Sequence, residues 1–166
     1  SSALAEGDRI YAVIRGGAMN QDGRSNGITA PNQAAQEQVL RDAWNQAEIS
    51  PGEAQYIETH GAGTLLGDVI EAQALRPVLA TGRPPDRRCA IGSVKTNIGH
   101  CESAAGVAGL IKVALAIQHG QIPPNLHFTA PNPHIPFDEM PFFVPCERMP
   151  WPGQGGRRLA GVSSFG

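Results

Sequence analysis

The sequence predicts an α/β layered fold with a mixed, five-stranded sheet, and three observations carry that expectation. Short apolar, β-rich runs alternate with helical periods in the order strand, helix, strand, helix, strand, helix, strand, strand. Two polar turns share one format: a strand, then a His in a Gly-containing turn, then a helix. The 166 residues, 41% of them hydrophobic, suit one compact domain, which would bury roughly 70% of its unfolded surface.

The elements follow in order. Ile10-Tyr-Ala-Val-Ile14 reads as a buried strand. Gly16 to Thr29 is a long loop built on the turn dipeptides Asp22-Gly23 and Asn26-Gly27, and loops of that length are often functional. Pro31-Asn32 opens a helix to about Ala47, with Ala35, Val39, Ala43, Trp44 and Ala47 on one face and Glu37, Gln38, Arg41 and Asp42 on the other. A strand over Ala54 to Glu58 follows. The next helix starts at Asp68 and runs to about Ala80, with Pro77 expected to end or kink it.

Cys89 to Val94 is a short strand, and Lys95 to His100 is a second polar turn. Ser103 to about Gln118 forms a helix of small residues, with Glu102 in its first turn. Gly106 and Gly109 inside it cost roughly 1 kcal/mol each against Ala, so close packing in a central, buried position is expected in return. Phe142 to Val144 and Leu159 to Ser164 read as antiparallel neighbouring strands. The chain has no initiator Met and closes on a strand entering a turn, so both ends read as cut from a longer polypeptide.

Composition removes several function classes. A net charge of −2 without a basic block leaves no electrostatic footprint for nucleic acid. The longest apolar run, Ala104 to Ile117, is short and carries Lys112, so it reads as a buried helix rather than a membrane span. Cys89, Cys101 and Cys146 lack paired spacing, which fits a reduced, cytoplasmic protein better than a disulfide scaffold. No G-x-S-x-G occurs, which disfavours an α/β-hydrolase.

The chemistry concentrates in the two turns. Parallel strands place their carboxyl ends on one edge, where ligands bind, so His60, Lys95 and His100 are expected to converge. Two histidines and a lysine can donate to a developing oxyanion or act as acid and base near neutrality. A lone His in such a turn is more often a structural hydrogen-bonder, and Lys95 could be a plain strand-end charge. His119, His127 and His134 read as surface or turn residues. Gly61-Ala-Gly63-Thr-Leu-Leu-Gly67 approaches a dinucleotide fingerprint, with Glu71 or Asp86 as ribose acid, but His60 directly before it is awkward. A metal site from His60, His100, Cys89 and Cys101 has no recognised ligand spacing.

Three stretches carry a resemblance: Asn20 to Asn32 (NQDGRSNGITAPN), Glu58 to Ala72 (ETHGAGTLLGDVIEA) and Gly92 to His100 (GSVKTNIGH). Together with the closing Pro150-Trp-Pro and Ala160-Gly-Val-Ser-Ser-Phe-Gly166, they resemble the C-terminal half of the β-ketoacyl synthase domains of modular type I polyketide synthases. The resemblance implies a thiolase-like fold, of which residues 1–166 are the second α-β-α half. It implies an acyltransferase activity, decarboxylative Claisen condensation of an acyl thioester with a malonyl-type extender. It implies His60 and His100 as the catalytic histidines, Lys95 as their support, and Thr64 as a hydrogen-bonding partner of the phosphopantetheine arm. No directly bound cofactor or metal is implied. The partners implied are acyl carrier protein, the N-terminal half of the same domain and a second copy in a homodimer.

Three departures from the family pattern follow. The nucleophilic cysteine of a TACSSS-like motif is absent, and Cys89, Cys101 and Cys146 have different neighbours. The usual HGTGT reads His60-Gly-Ala62-Gly-Thr64, removing one hydroxyl contact worth on the order of 1 kcal/mol. The chain stops before a GTNAH segment. The fragment alone is therefore expected to be inactive. The alternative reading, motivated by Ala62, is a non-elongating domain that holds or passes an acyl chain.

Overall fold

The computed structural model describes residues 2–23, 31–152 and 156–165. The helices are α1 (Ser2–Glu6), α2 (Gln33–Ala47), α3 (Gly67–Ala80), α4 (Lys95–Ile98) and α5 (Ala105–His119). The strands are β1 (Tyr56–Glu58), β2 (Cys89–Gly92), β3 (Gln121–Ile122), β4 (Phe142–Phe143), β5 (Met149–Pro150) and β6 (Ala160–Val162). Asn32 caps α2, its side-chain oxygen accepting from the backbone N–H groups of Ala34 and Ala35. Asp22 in turn accepts from Asn32 N at 3.0 Å, tying the preceding loop to the helix. The Asn26-Gly27 turn of that loop lies outside the described residues.

Four strands form one sheet in the order β4-β2-β1-β6, with all three pairings parallel. Alternate residues of each strand serve opposite faces. Ile57, Cys89, Ile91 and Phe142 pack with Leu75 and Leu79 of α3, and Leu40 and Trp44 of α2 close that layer. Tyr56 and Ala90 pack on the other face with Val113 and Ala116 of α5 and with Trp151. The result is an α-β-α sandwich in which each fully buried Ile, Leu, Val or Phe side chain contributes about 1.5–3 kcal/mol.

The sheet corrects the five-stranded, mixed expectation in two places. Residues 10–14 join no ladder, and Val13 and Ile14 are 71% and 72% exposed. A β-forming run becomes a strand only against a partner edge, and the described residues bring none to it. The segments at 142 and 160 are not antiparallel neighbours either. β4 and β6 occupy opposite edges, each parallel to its neighbour, because long crossing connections rather than a hairpin return the chain to the sheet. The antiparallel pairing is instead a separate two-stranded ladder of β3 with β5.

Pro77 neither ends nor breaks α3, which runs on to Ala80. The proline falls in the last turn, where Thr81 Oγ1 donates to its carbonyl at 3.0 Å. The two glycines of α5 pack closely, as expected. A Cβ on Gly109 would stand 3.0 Å from Glu58 Cγ, and one on Gly106 would stand 3.2 Å from Ser164 Oγ. Only one face of α5 is buried, however. Val107, Leu110, Ile111 and Leu115 form an exposed apolar face on the side away from the sheet.

Candidate active site

The parallel sheet puts the carboxyl ends of β1 and β2 side by side, with Glu58 paired to Gly92. His60 therefore leaves β1 beside the turn that carries Lys95, and Lys95 Nζ donates to the His60 carbonyl. The rings of His60 and His100 lie 5.4 Å apart between centroids, inclined at 71°. Phe165, after β6, brings its ring to 5.7 Å from His60. The structure thus unites the expected His60, Lys95 and His100.

Both histidines are held through Nδ1. His60 Nδ1 accepts from Phe165 N at 3.2 Å, and His100 Nδ1 accepts from Glu102 N at 2.8 Å. A nitrogen that accepts a backbone N–H bears no proton, so each neutral ring carries its hydrogen on Nε2. Glu102 adopts a left-handed backbone, φ 48°, to deliver that N–H, a strain typical of functional turns. Burial, the nearby Lys95 ammonium and His100 push the His60 pKa down to about 4. His60 is accordingly neutral at neutral pH.

The glycine turn is tied back to α3 by its own amides. Glu71 Oε1 accepts from His60 N at 2.8 Å and its Oε2 from Gly61 N at 2.9 Å. Asp68 accepts from Gly63 N at 3.1 Å, and Thr64 Oγ1 accepts from Gly67 N at 3.1 Å. Gly61 is required here, because at φ 45° a Cβ would lie 2.8 Å from Thr59 Oγ1. Burial raises the Glu71 pKa to about 7 against the opposing pull of its two amide bonds, and burial also raises that of Asp68.

These bonds decide against the dinucleotide reading. The amides that would cradle a phosphate already face Glu71 and Asp68, and an anionic ligand would meet those carboxyl groups instead. Cys89 is fully buried in the core, remote from the surface, and burial pushes its thiol up to about 12. Among the described residues, no three His, Cys, Asp or Glu side chains form a metal-ligating group. No helix among them is long and apolar enough to cross a membrane.

Thr64 stands at the rim. Its oxygen caps Gly67, and its hydroxyl proton remains available to a ligand. Two clefts of about 790 and 620 Å³ flank the turn, both bordered by Thr64, Asp68 and Glu71. His60 and Ala62 border the first, and Lys95 borders the second. Sequence reading missed Phe165 and Glu102 as orienting groups. It assigned Glu71 only to a ribose, although an acid eleven residues after a turn histidine, one helical turn into the next helix, was a usable signal.

Residues 11–129 match the family model "Beta-ketoacyl synthase, C-terminal domain". The chain is 59% identical over its whole length to a phenolphthiocerol/phthiocerol polyketide synthase of Mycobacterium tuberculosis H37Rv, spanning 9% of that protein. It is similar to the ketosynthase from module 6 of the bacillaene synthase of Bacillus subtilis 168, with a TM-score of 0.94 and 46% identity over 99% of this chain and 30% of that one. It is also similar to an oxazolomycin ketosynthase domain of Streptomyces albus JA3453, with a TM-score of 0.93 and 40% identity over 99% of this chain and 29% of that one. The α-β-α sandwich with its two histidine turns is thus part of a thiolase-like fold, and the chain belongs to the β-ketoacyl synthase family as the C-terminal region of a polyketide synthase ketosynthase.

Proposed function

We propose that His60, His100 and Lys95 form the decarboxylation and oxyanion half of a ketosynthase active site that makes a carbon–carbon bond. The observation that carries this reading is the pair of adjacent imidazoles, each with Nδ1 occupied by a backbone N–H. Their Nε2–H groups are then aimed as fixed donors. A malonyl-type thioester on acyl carrier protein loses CO2, and the electron pair of the broken C–C bond becomes an enolate. Nε2–H donors stabilise the charge on the thioester oxygen. The enolate carbon attacks the acyl thioester on a cysteine outside this chain, and collapse of the tetrahedral oxyanion expels the thiolate.

His60 suits this task because its low pKa keeps it a neutral donor that neither takes the substrate's charge as an acid nor needs deprotonation. Lys95 fixes the His60 backbone and lowers the His60 pKa. Thr64, at the border of both clefts, donates to the phosphopantetheine arm that delivers each substrate.

Two surfaces support assembly with the N-terminal half of the domain. One is the apolar face of α5, and the other is the unpaired, exposed stretch 10–14. The fragment alone is inactive on this reading. The homodimer and cytoplasmic setting implied by the family likeness belong to the same proposal.

The test uses the intact domain and measures condensation with His60→Ala and with His100→Ala. Loss of product in both variants is expected. Full activity in either removes the role assigned to that residue.

Ala62 favours a second reading, in which the domain passes a chain without extending it. Ala62 stands exposed beside His60, where the family pattern has a hydroxyl. Acylation of an intact cysteine without elongated product would select that reading.

A further inference from the structure

Glu58 carries a carboxyl group into the packed interior, 2% exposed, two residues before His60. Oε2 accepts from Lys112 Nζ at 2.7 Å and from Tyr56 Oη at 2.8 Å. Lys112 Nζ also reaches Tyr56 Oη at 2.5 Å. Oε1 accepts from Val94 N at 2.5 Å, at the start of the turn that carries Lys95. The Glu58 carbonyl accepts from Ser163 N at 2.8 Å, opening the stretch that ends in the Phe165 N–H on His60. Lys112 belongs to α5, which begins just after His100. One side chain therefore joins β1, which leads into the His60 turn, the turn that carries Lys95 and His100, and α5, which follows that turn.

A buried ion pair is weak evidence for stability, since apolar side chains of similar volume often hold a fold as well or better. Nothing in the bonds among Glu58, Lys112 and Tyr56 touches either cleft. What an apolar replacement would lose is the charge-assisted bond to Val94 N, a bond type that fixes geometry as well as energy.

We propose that Glu58, clamped by Lys112 and Tyr56, is a positioning residue that sets the Lys95 turn against the His60 turn. The inference rests on the reading of His60, Lys95 and His100 given above. It predicts that the clamp acts on turnover rather than on substrate binding, because misplacement by a fraction of an ångström at the donors leaves the clefts intact.

The test measures malonyl-thioester decarboxylation and thermal unfolding in the intact ketosynthase domain. Glu58→Gln is expected to lower kcat at least about tenfold with KM changed less than about twofold. Lys112→Met reports the same split should Glu58→Gln fail to fold. The double variant Glu58→Leu with Lys112→Met is expected to regain the unfolding temperature without regaining kcat. Wild-type kcat in Glu58→Gln, or kcat restored together with the unfolding temperature in the double variant, overturns the proposal. His60→Ala separates the two claims. Retained decarboxylation in that variant overturns the underlying site reading. Its loss, beside an unchanged Glu58→Gln, overturns the positioning role alone.

Discussion

The two histidine turns look alike in sequence and are built differently. The His60 turn is braced from the following helix, by Glu71 and Asp68 acting on three of its backbone amides, while its own Thr64 accepts from Gly67 N at the start of that helix. The Lys95–His100 turn is shaped largely by its own backbone, with Glu58 tying only its start through Val94 N. Its residues wind into the one-turn helix α4, closed by Gly99 N on the Lys95 carbonyl at 2.9 Å, and His100 is oriented by an N–H only two residues on. The first turn therefore depends on carboxyl groups of the following helix, whereas the second depends on local backbone geometry and on Glu58 at its start. A residue that anchors several amides at once is the more vulnerable support.

That contrast can be broken most severely at Glu71. Glu71→Ala strands the half-buried amides of His60 and Gly61, each costing up to about 1–3 kcal/mol. A loss of up to roughly 2–6 kcal/mol in the intact domain is expected by denaturant unfolding, together with loss of decarboxylation. An unchanged midpoint would show that the turn does not lean on Glu71.

Glu71 also makes a pH prediction. Its folded-state pKa is raised from 4.5 to about 7, so the folded state holds a proton that the unfolded chain releases. The stabilisation is complete below about 4.5 and is lost as pH rises through about 7. Glu71→Gln is expected to flatten this slope in unfolding free energy against pH. An identical slope in the variant would contradict it.

Smaller effects are expected at the rim. Thr64→Val removes the oxygen that caps Gly67 and should cost about 1 kcal/mol of stability, with a weaker KM for carrier-bound substrate. A change in stability alone would make Thr64 a cap and nothing more. Ala62→Thr, which restores the family's hydroxyl, should tighten that KM about fivefold, the equivalent of roughly 1 kcal/mol.

Much of this was legible before the fold was known. The alternation of runs placed β1, β2, α2, α3 and α5 within a few residues, because each is periodic over its own length. The two turns could be matched because their chemistry is contiguous in sequence. What was not legible depends on distant neighbours. Residues 10–14 have strand composition but no partner edge, and the parallel placement of β4 and β6 depends on how long connections cross the sheet. The Phe165 N–H on His60 spans 105 positions, and Glu58 reads simply as the end of a strand until Val94 and Lys112 are seen around it.

The most direct measurement is nitrogen NMR of the two imidazoles in the intact domain at neutral pH. The account predicts an unprotonated Nδ1 and a protonated Nε2 on both His60 and His100, presenting paired donors to one site. A protonated Nδ1 on either ring would contradict it.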